Sequence, residues 1–392
     1  MLIIADENIP FACEVFAHLG DVRTMSGREM SHESVRDAEV LLVRSITKVN
    51  RELLDSSRVR FVATATIGTD HVDLAYLEEA GIAFASAPGS NARSVAEWVA
   101  AALLALEARG LARGGRLSEA ALGIVGVGNV GSRVDTVARA LGMTTLLNDP
   151  PRRRAEGASG PDTFVSLDEV CGRADIVTFH VPLERGGEDP TFHMIDTELL
   201  AGLGRGAAVI NASRGRVHDT EALAEAKRSG RIGGLVLDVW EGEPRISPEL
   251  VEFADIATPH IAGYSYDGKV AGTRMIYEAA CRALGISPEW PDGLPPHEDL
   301  IIGPAAAPGS FGVRDAVKAA YDIEADDARL REVTRSPSEE DRAEGFDRLR
   351  KTYPRRREFR NWRVRPAPAG GGVRGTLEAL GFGVDEPAQT GP

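Results

Sequence analysis

Three short segments bring an arginine, a carboxylate and a histidine to the ends of apolar runs: Asn211-Ala212-Ser213-Arg214-Gly215-Arg216, Leu237-Asp238-Val239-Trp240-Glu241-Gly242-Glu243-Pro244, and Thr258-Pro259-His260-Ile261-Ala262-Gly263-Tyr264. A guanidinium holds a carboxylate through two parallel hydrogen bonds, an imidazole takes a proton from a hydroxyl, and an acid orients and polarises that base. Removal of hydride from a hydroxy acid needs this set. A fourth segment, Gly126-Val127-Gly128-Asn129-Val130-Gly131, places G-x-G-x-x-G between the apolar run Ala121–Val125 and the helical pattern Ser132–Leu141. Its glycines allow a tight turn, close approach of backbone amides to a pyrophosphate, and helix–strand packing, while the helix start offers positive potential. Asp149 ends the next apolar run, close to the ~20-residue offset at which an acid binds the adenosine ribose. That acid predicts NAD, although Arg152, Arg153 and Arg154 stand near enough to receive the extra phosphate of NADP.

The elements that must position these residues follow from periodicity. Leu2–Ala5, Val40–Val43, Phe61–Ala65 and Ile82–Ala85 read as strands with helical patterns between them, which implies βαβ units and a parallel sheet. Ser94–Leu111 lacks proline and is rich in helix formers, so it reads as a boundary helix. Six more strands are predicted at Ala121–Val125, Thr144–Asn148, Ile176–Phe179, Ala208–Asn211, Gly234–Leu237 and Ile256–Thr258, the layout of a doubly wound dinucleotide-binding domain. A helix over Lys269–Leu284 could return to the first domain. Beyond it Pro288, Pro291, Pro295, Pro296, Pro304 and Pro308 mark a linker or irregular loop. A third unit is predicted from near Phe311, with helices near Val313–Tyr321, Ser338–Lys351 and Val373–Leu380 and a strand near Phe359–Val364.

Composition sets the outer limits. The 392 residues carry 45 basic and 59 acidic side chains, a formal charge of −14, which argues against a protein that coats nucleic acid or an anionic membrane. Three widely spaced cysteines, Cys13, Cys171 and Cys281, indicate neither a disulfide framework nor a metal site. The acidic start and the lack of a long uncharged apolar run make cytoplasm the default expectation.

With His180-Val181-Pro182-Leu183 ahead of them, the catalytic segments resemble the D-isomer-specific 2-hydroxyacid dehydrogenases. The resemblance implies that Arg214, Glu243 and His260 are the catalytic set. It also implies that Gly126, Gly128, Asn129, Val130, Gly131, Asp149, Thr178, Asp238 and Gly263 hold the cofactor. Glu241 is a rival carboxylate, but the family's acid immediately precedes proline, as Glu243 does. His180, His193 and His218 are rival bases, and none follows a strand-end Thr-Pro. A neighbouring Glu243 is expected to raise the pKa of His260.

Asp6-Glu7-Asn8-Ile9-Pro10, Val43-Arg44-Ser45-Ile46-Thr47-Lys48, Thr64-Ala65-Thr66-Ile67-Gly68-Thr69-Asp70-His71 and Ala87-Pro88-Gly89-Ser90-Asn91-Ala92 resemble the bacterial erythronate-4-phosphate dehydrogenases. So do Tyr321-Asp322 and Phe346-Asp347-Arg348-Leu349-Arg350-Lys351. That branch implies Ser45, Thr66 and Tyr264 as substrate contacts, a phosphorylated hydroxy acid as substrate, and a homodimer made by the C-terminal segment. Arg44 could add charge.

The expected fold is α/β: two Rossmann-like doubly wound parallel-sheet domains and a small α+β C-terminal dimerisation domain. The expected boundaries are 1–95 with 267–286 for substrate, 96–266 for NAD, and 287–392 for dimerisation. Phosphoglycerate dehydrogenase or another 2-hydroxyacid dehydrogenase is the alternative activity, and an NAD(H)-sensing scaffold the non-catalytic one. The stretch Arg348–Arg365, with Arg355, Arg356, Arg357, Arg360 and Arg363 among aromatics, could bind single-stranded nucleic acid. Acids just upstream and the preference of interfaces for Arg and aromatics favour an interface, so no nucleic-acid partner is expected.

Overall fold

In the computed structural model, residues 1–111, 115–157, 164–296, 298–303, 311–365 and 371–385 are described, and the chain divides into two units, each built on a parallel sheet. The first unit comprises Met1–Ala92 and Ser265–Glu298. Its strands β1 (Leu2–Asp6), β2 (Asp21–Met25), β3 (Val40–Val43), β4 (Phe61–Thr64) and β5 (Ala83–Ala85) lie in the order β2-β1-β3-β4-β5. Every residue of β3 and β4 is buried, as expected where helices cover both faces of a parallel sheet. The strand β2 was not foreseen. It is an edge strand with the mostly exposed sequence DVRTM, so it lacks the apolar run that marks its neighbours.

Helix Tyr266–Leu284 belongs to this unit. The Ser265 hydroxyl accepts from the Gly268 amide at 2.8 Å to cap its start, and Gly285 ends it at φ 68°. Ile276, Tyr277, Ala280 and Cys281 from its inner face join Ile3, Phe16 and Phe61 in one core.

The second unit comprises Arg93–Tyr264 and Asp299–Pro392. Its main sheet contains β6 (Ala121–Val125), β7 (Thr144–Asn148), β8 (Ile176–Phe179), β9 (Ala208–Asn211), β10 (Gly234–Leu237) and β11 (Ile256–Ala257), in the order β11-β10-β9-β8-β6-β7. A parallel bridge from Leu147 to Phe164 adds a vestigial strand beyond β7. The order reverses between β6 and β8, the switch point at which open α/β sheets bind ligands beyond the carboxyl ends of their strands. Gly123 in β6 lets helix Leu167–Arg173 press onto the sheet, since a Cβ there would lie 2.4 Å from Val170 Cγ1.

The C-terminal part of this unit forms a second parallel sheet from β12 (Leu300–Ile302), β13 (Trp362–Val364) and β14 (Gly383–Val384). Helices Val313–Ala320, Ile323–Thr334, Glu339–Lys351 and Gly371–Leu380 accompany it. The predicted strand near Phe359–Val364 divides into a 3-10 turn, Phe359–Asn361, and the shorter β13. Tyr321, Phe359, Leu377 and Phe382 share one apolar core with Trp98, Val99, Leu103 and Leu106 of the long helix Ala92–Ala108. Within that core Arg356 lies over the Tyr321 ring at 3.9 Å and beside Glu97, whose carboxyl burial pushes up to about 8. Arg356 and Arg357 of the cationic stretch are thus buried, packed into the protein rather than presented on a binding surface. Pro304 and Pro308 of the proline-rich stretch, and the tail from residue 386, lie outside the described residues. No described helix is long and apolar enough to cross a membrane.

Candidate active site

Gly126 follows β6, Asp149 follows β7, His180 follows β8, the Arg214 turn follows β9, Asp238 follows β10 and His260 follows β11. Because all six strands are parallel, these residues gather along one edge of one sheet.

The histidine and its acid are in contact. Glu243 Oε2 and His260 Nδ1 lie 2.7 Å apart, and since an ionised carboxylate only accepts, Nδ1 carries the hydrogen. That leaves Nε2 as the ring nitrogen able to take a proton. The Trp240 amide donates to the other Glu243 oxygen at 2.9 Å. Burial pushes the Glu243 carboxyl up, but His260, with Arg350 and the Trp240 amide, outweighs it and holds the group below its ordinary range.

His260 occupies the left-handed region at φ 57°, a conformation that costs a non-glycine residue of order 1–3 kcal/mol. Asp238 supplies the restraint. Its carbonyl accepts the His260 amide at 2.7 Å, and its carboxylate accepts the Thr258 hydroxyl at 2.6 Å and the Ile261 and Ala262 amides at 2.8 and 2.9 Å. Burial pushes this carboxyl up against the pull of His260 and those donors. Asp238, expected from the resemblance to hold the cofactor, is therefore also the staple of the histidine loop.

Asn211 organises the arginine turn. Its Oδ1 accepts the Ser213 amide and hydroxyl at 3.0 and 2.7 Å, while its Nδ2 donates to the Arg214 carbonyl and to His218 Nδ1, both at 3.0 Å. Gly215 then lies so close to the next loop that a Cβ would fall 1.9 Å from the Trp240 carbonyl oxygen. This contact ties the turn holding Arg214 to the loop holding Glu243. Neither Asn211 nor Gly215 was singled out from the sequence, although both lie inside the quoted arginine motif.

The rival groups have other partners. Glu241 accepts from His193 Nε2 at 2.8 Å and from the Thr220 amide at 3.0 Å. Burial pushes His218 down to about 4 and His180 down to about 3, so both are neutral rings. His180 Nε2 lies 2.9 Å from the Thr178 hydroxyl.

The glycine loop fits a dinucleotide. Gly126 has φ 86°, and a Cβ there would meet the His180 carbonyl oxygen at 2.6 Å; at Gly131 one would meet the Gly126 carbonyl oxygen at 2.0 Å. Around Gly128 the space is open. Helix Gly131–Ala140 starts from Val130 without a side-chain cap; the Ser132 and Arg133 amides donate to the Gly128 and Val130 carbonyls at 3.1 and 2.9 Å, so the positive end of the helix dipole is what this turn offers an anion, and Asn129 is exposed beside it. Asp149 accepts the Val127 amide at 2.8 Å and the Arg152 amide at 2.9 Å, linking the acid expected at the ribose to the glycine loop. Arg152 donates to Glu156 and to the Val127 carbonyl, and Arg154 pairs with Asp189 and Glu188. Two of the three arginines that left NADP open are thus committed to neighbours. Replacing Asp149 with Ala is expected to reduce the preference for NAD over NADP by roughly 10- to 100-fold, the value of one or two charge-assisted hydrogen bonds. An unchanged ratio of kcat/KM for the two cofactors would remove the ribose role.

Ser45 and Thr66 follow β3 and β4 in the first unit. Ser45 is exposed in a turn closed by the Thr47 amide on the Arg44 carbonyl at 3.2 Å. The Thr66 hydroxyl lies 2.7 Å from that of Thr64 and donates to the Gly68 carbonyl at 3.0 Å. Tyr264 and Gly263 extend the histidine loop in the second unit, where the Tyr264 ring meets Tyr353 edge to face at 5.8 Å.

Residues 90–262 match the family described as "D-isomer specific 2-hydroxyacid dehydrogenase, NAD binding domain", and residues 310–381 match a domain of unknown function. The chain is 50% identical over 369 residues to the erythronate-4-phosphate dehydrogenase of Salinibacter ruber, spanning 92% of this chain and 93% of that one. It is 46% identical over 386 residues to the enzyme of the same name from Marinobacter nauticus, spanning 97% and 99%. The chain belongs to the erythronate-4-phosphate dehydrogenase family. Solved structures of similar fold include a D-lactate dehydrogenase from Aquifex aeolicus complexed with NAD and lactic acid, at 27% identity and a TM-score of 0.60, covering 72% of this chain and 96% of that one. The TT0316 protein of Thermus thermophilus is similar at 26% identity and a TM-score of 0.62, covering 74% and 100%. Members of the erythronate-4-phosphate dehydrogenase family therefore match this chain nearly end to end, whereas these two solved structures match about three quarters of it.

Proposed function

We propose that this protein oxidises 4-phospho-D-erythronate to 2-oxo-3-hydroxy-4-phosphobutanoate, a step of pyridoxal 5'-phosphate biosynthesis. The observation that carries the reading is the Glu243–His260 pair on the same sheet edge as Arg214 and the glycine loop, in a chain alike over nearly its whole length to relatives of that name. Bound NAD supplies the hydride acceptor. Arg214 binds the substrate carboxylate and fixes C2 for hydride transfer to the nicotinamide. His260 takes the C2 hydroxyl proton on Nε2 as the hydride leaves C2, and Glu243 stabilises the imidazolium that results. Ser45, Thr66 and Tyr264 bind the hydroxyl and phosphate groups. A homodimer formed through residues 287–392 and a cytoplasmic location complete the reading, and both rest on the family resemblance and the composition.

The test is turnover of 4-phospho-D-erythronate by protein supplied with NAD and, in parallel, with a 2-oxo acid as final hydride acceptor. The second arm reveals activity when nicotinamide stays on the protein between turnovers. Oxidation of 4-phospho-D-erythronate in either arm is expected. Turnover of 3-phosphoglycerate with none of 4-phospho-D-erythronate would replace this reading by the phosphoglycerate one.

A further inference from the structure

The proposed substrate has two anionic ends, a carboxylate and a phosphate, and the catalytic set provides one arginine. A second stands beside it. Arg350, near the end of helix Glu339–Lys351, has its guanidinium carbon 5.8 Å from the centre of the Tyr264 ring. Its side chain hydrogen-bonds Tyr264, and its charge acts on both Tyr264 and Glu243. The helix is held there by Ala343, Gly345 and Phe346, which are buried, and a Cβ on Gly345 would lie 2.5 Å from Val333 Cγ1 of helix Ile323–Thr334. Arg350 Nε is buried and bonded to nothing among the described residues. A buried guanidinium donor with no acceptor is destabilising, so its retention next to a catalytic acid calls for a ligand oxygen.

The origin of this arginine narrows its role. It lies in the segment 310–381, which has a profile separate from that of the dehydrogenase domain at 90–262. The chemistry common to hydroxy-acid oxidation, with Arg214, Glu243 and His260, is complete without it. What the C-terminal segment adds to the site is a second cation at the tyrosine expected to contact substrate.

We propose that Arg350 recognises the phosphate end of the substrate, so that the C-terminal segment contributes a specificity residue to the active site. The assignment rests on the functional reading above. Arg350 donates to phosphate oxygens while Tyr264 holds the guanidinium plane, and Arg214 takes the carboxylate at the other end. Two fixed cations then measure the length of the substrate and reject hydroxy acids that carry one anion.

The experiment compares kcat/KM for 4-phospho-D-erythronate with that for D-erythronate in the wild type, Arg350→Gln and Arg350→Lys. The wild type is expected to favour the phosphorylated acid strongly. Arg350→Gln is expected to cut that preference by roughly 10- to 100-fold, the value of one or two charge-assisted hydrogen bonds, mainly through KM. Arg350→Lys keeps the charge but loses the fork, and an intermediate preference is expected; it also serves should the glutamine variant not fold. Equal losses on both substrates would show a structural role or one exerted through Glu243, and would overturn the proposal. So would an unchanged preference in both variants. A wild type that does not distinguish the two acids would instead bring down the functional reading, and this assignment with it.

Discussion

Replacing His260 with Asn is expected to lower kcat for hydroxy-acid oxidation by roughly 10²–10⁴-fold, the usual contribution of a positioned general base. The asparagine amide can still donate toward Glu243 and, like histidine, tolerates the left-handed backbone that Asp238 imposes at φ 57°. It cannot accept a proton. Binding of NADH, followed by fluorescence, should persist because the glycine loop and Asp149 form their own hydrogen-bonded assembly. Glu243→Gln should also lower kcat, since a neutral amide does not stabilise an imidazolium. The double variant should be little worse than His260→Asn alone, because the acid acts through the histidine. A kcat for His260→Asn within about tenfold of wild type would refute the base assignment.

A second large loss is expected from a methyl group. In Gly215→Ala the new Cβ would stand 1.9 Å from the Trp240 carbonyl oxygen and 2.7 Å from the Glu241 amide nitrogen, both backbone atoms with no rotamer to yield. The turn must shift, taking Arg214 away from the carboxylate it is proposed to orient. Displacements near 1 Å in a reacting pair are enough to cost ~10²-fold, so kcat/KM should fall by about that factor while NADH affinity changes little. Gly172→Ala is the matching control. It lies in helix Leu167–Arg173 with open space about its Cβ position, and alanine there should stabilise by roughly 0.5–1 kcal/mol with full activity. Wild-type kinetics in Gly215→Ala would show that the two loops are not coupled as the geometry requires.

Much of this architecture could be read from the chain before it was seen folded, and the boundary lies at a physical line. Strands buried on both faces, such as VLLV at Val40–Val43, announce themselves as apolar runs, and β6, β7, β8, β9 and β10 fall on their predicted bounds. The edge strand β2 and helix Ile323–Thr334 do not announce themselves. The first is mostly exposed, and the second is dense in charge, with Asp326 and Asp327 buried by partners from elsewhere: Tyr353 donates to Asp326, and Ala257 to Asp327. The same line divides the site. His260, Glu243 and Arg214 stand in local motifs whose residue types state their chemistry. The contacts that aim them, from Gly215 to Trp240, Asp238 to Ala262 and Arg350 to Tyr264, depend on which loops the fold brings together, and local pattern does not encode that.

The division of the chain into interleaved halves dictates an order of completion during synthesis. Residues Ser265–Glu298 close the first unit, so its sheet waits on the ribosome without its covering helix until roughly three quarters of the chain has emerged. The second unit finishes later still, because Tyr321, Phe359 and Phe382 fill the core beside Trp98 and Leu103, and Arg356 accompanies Glu97 there. Until the last of these arrives, the long helix Ala92–Ala108 presents an apolar flank and a carboxyl group without its cation to solvent or to a chaperone. A stop codon shortly after residue 298 would therefore release a chain with a closed first unit, its proposed catalytic groups Arg214, Glu243 and His260 carried on a second unit whose core is unfinished.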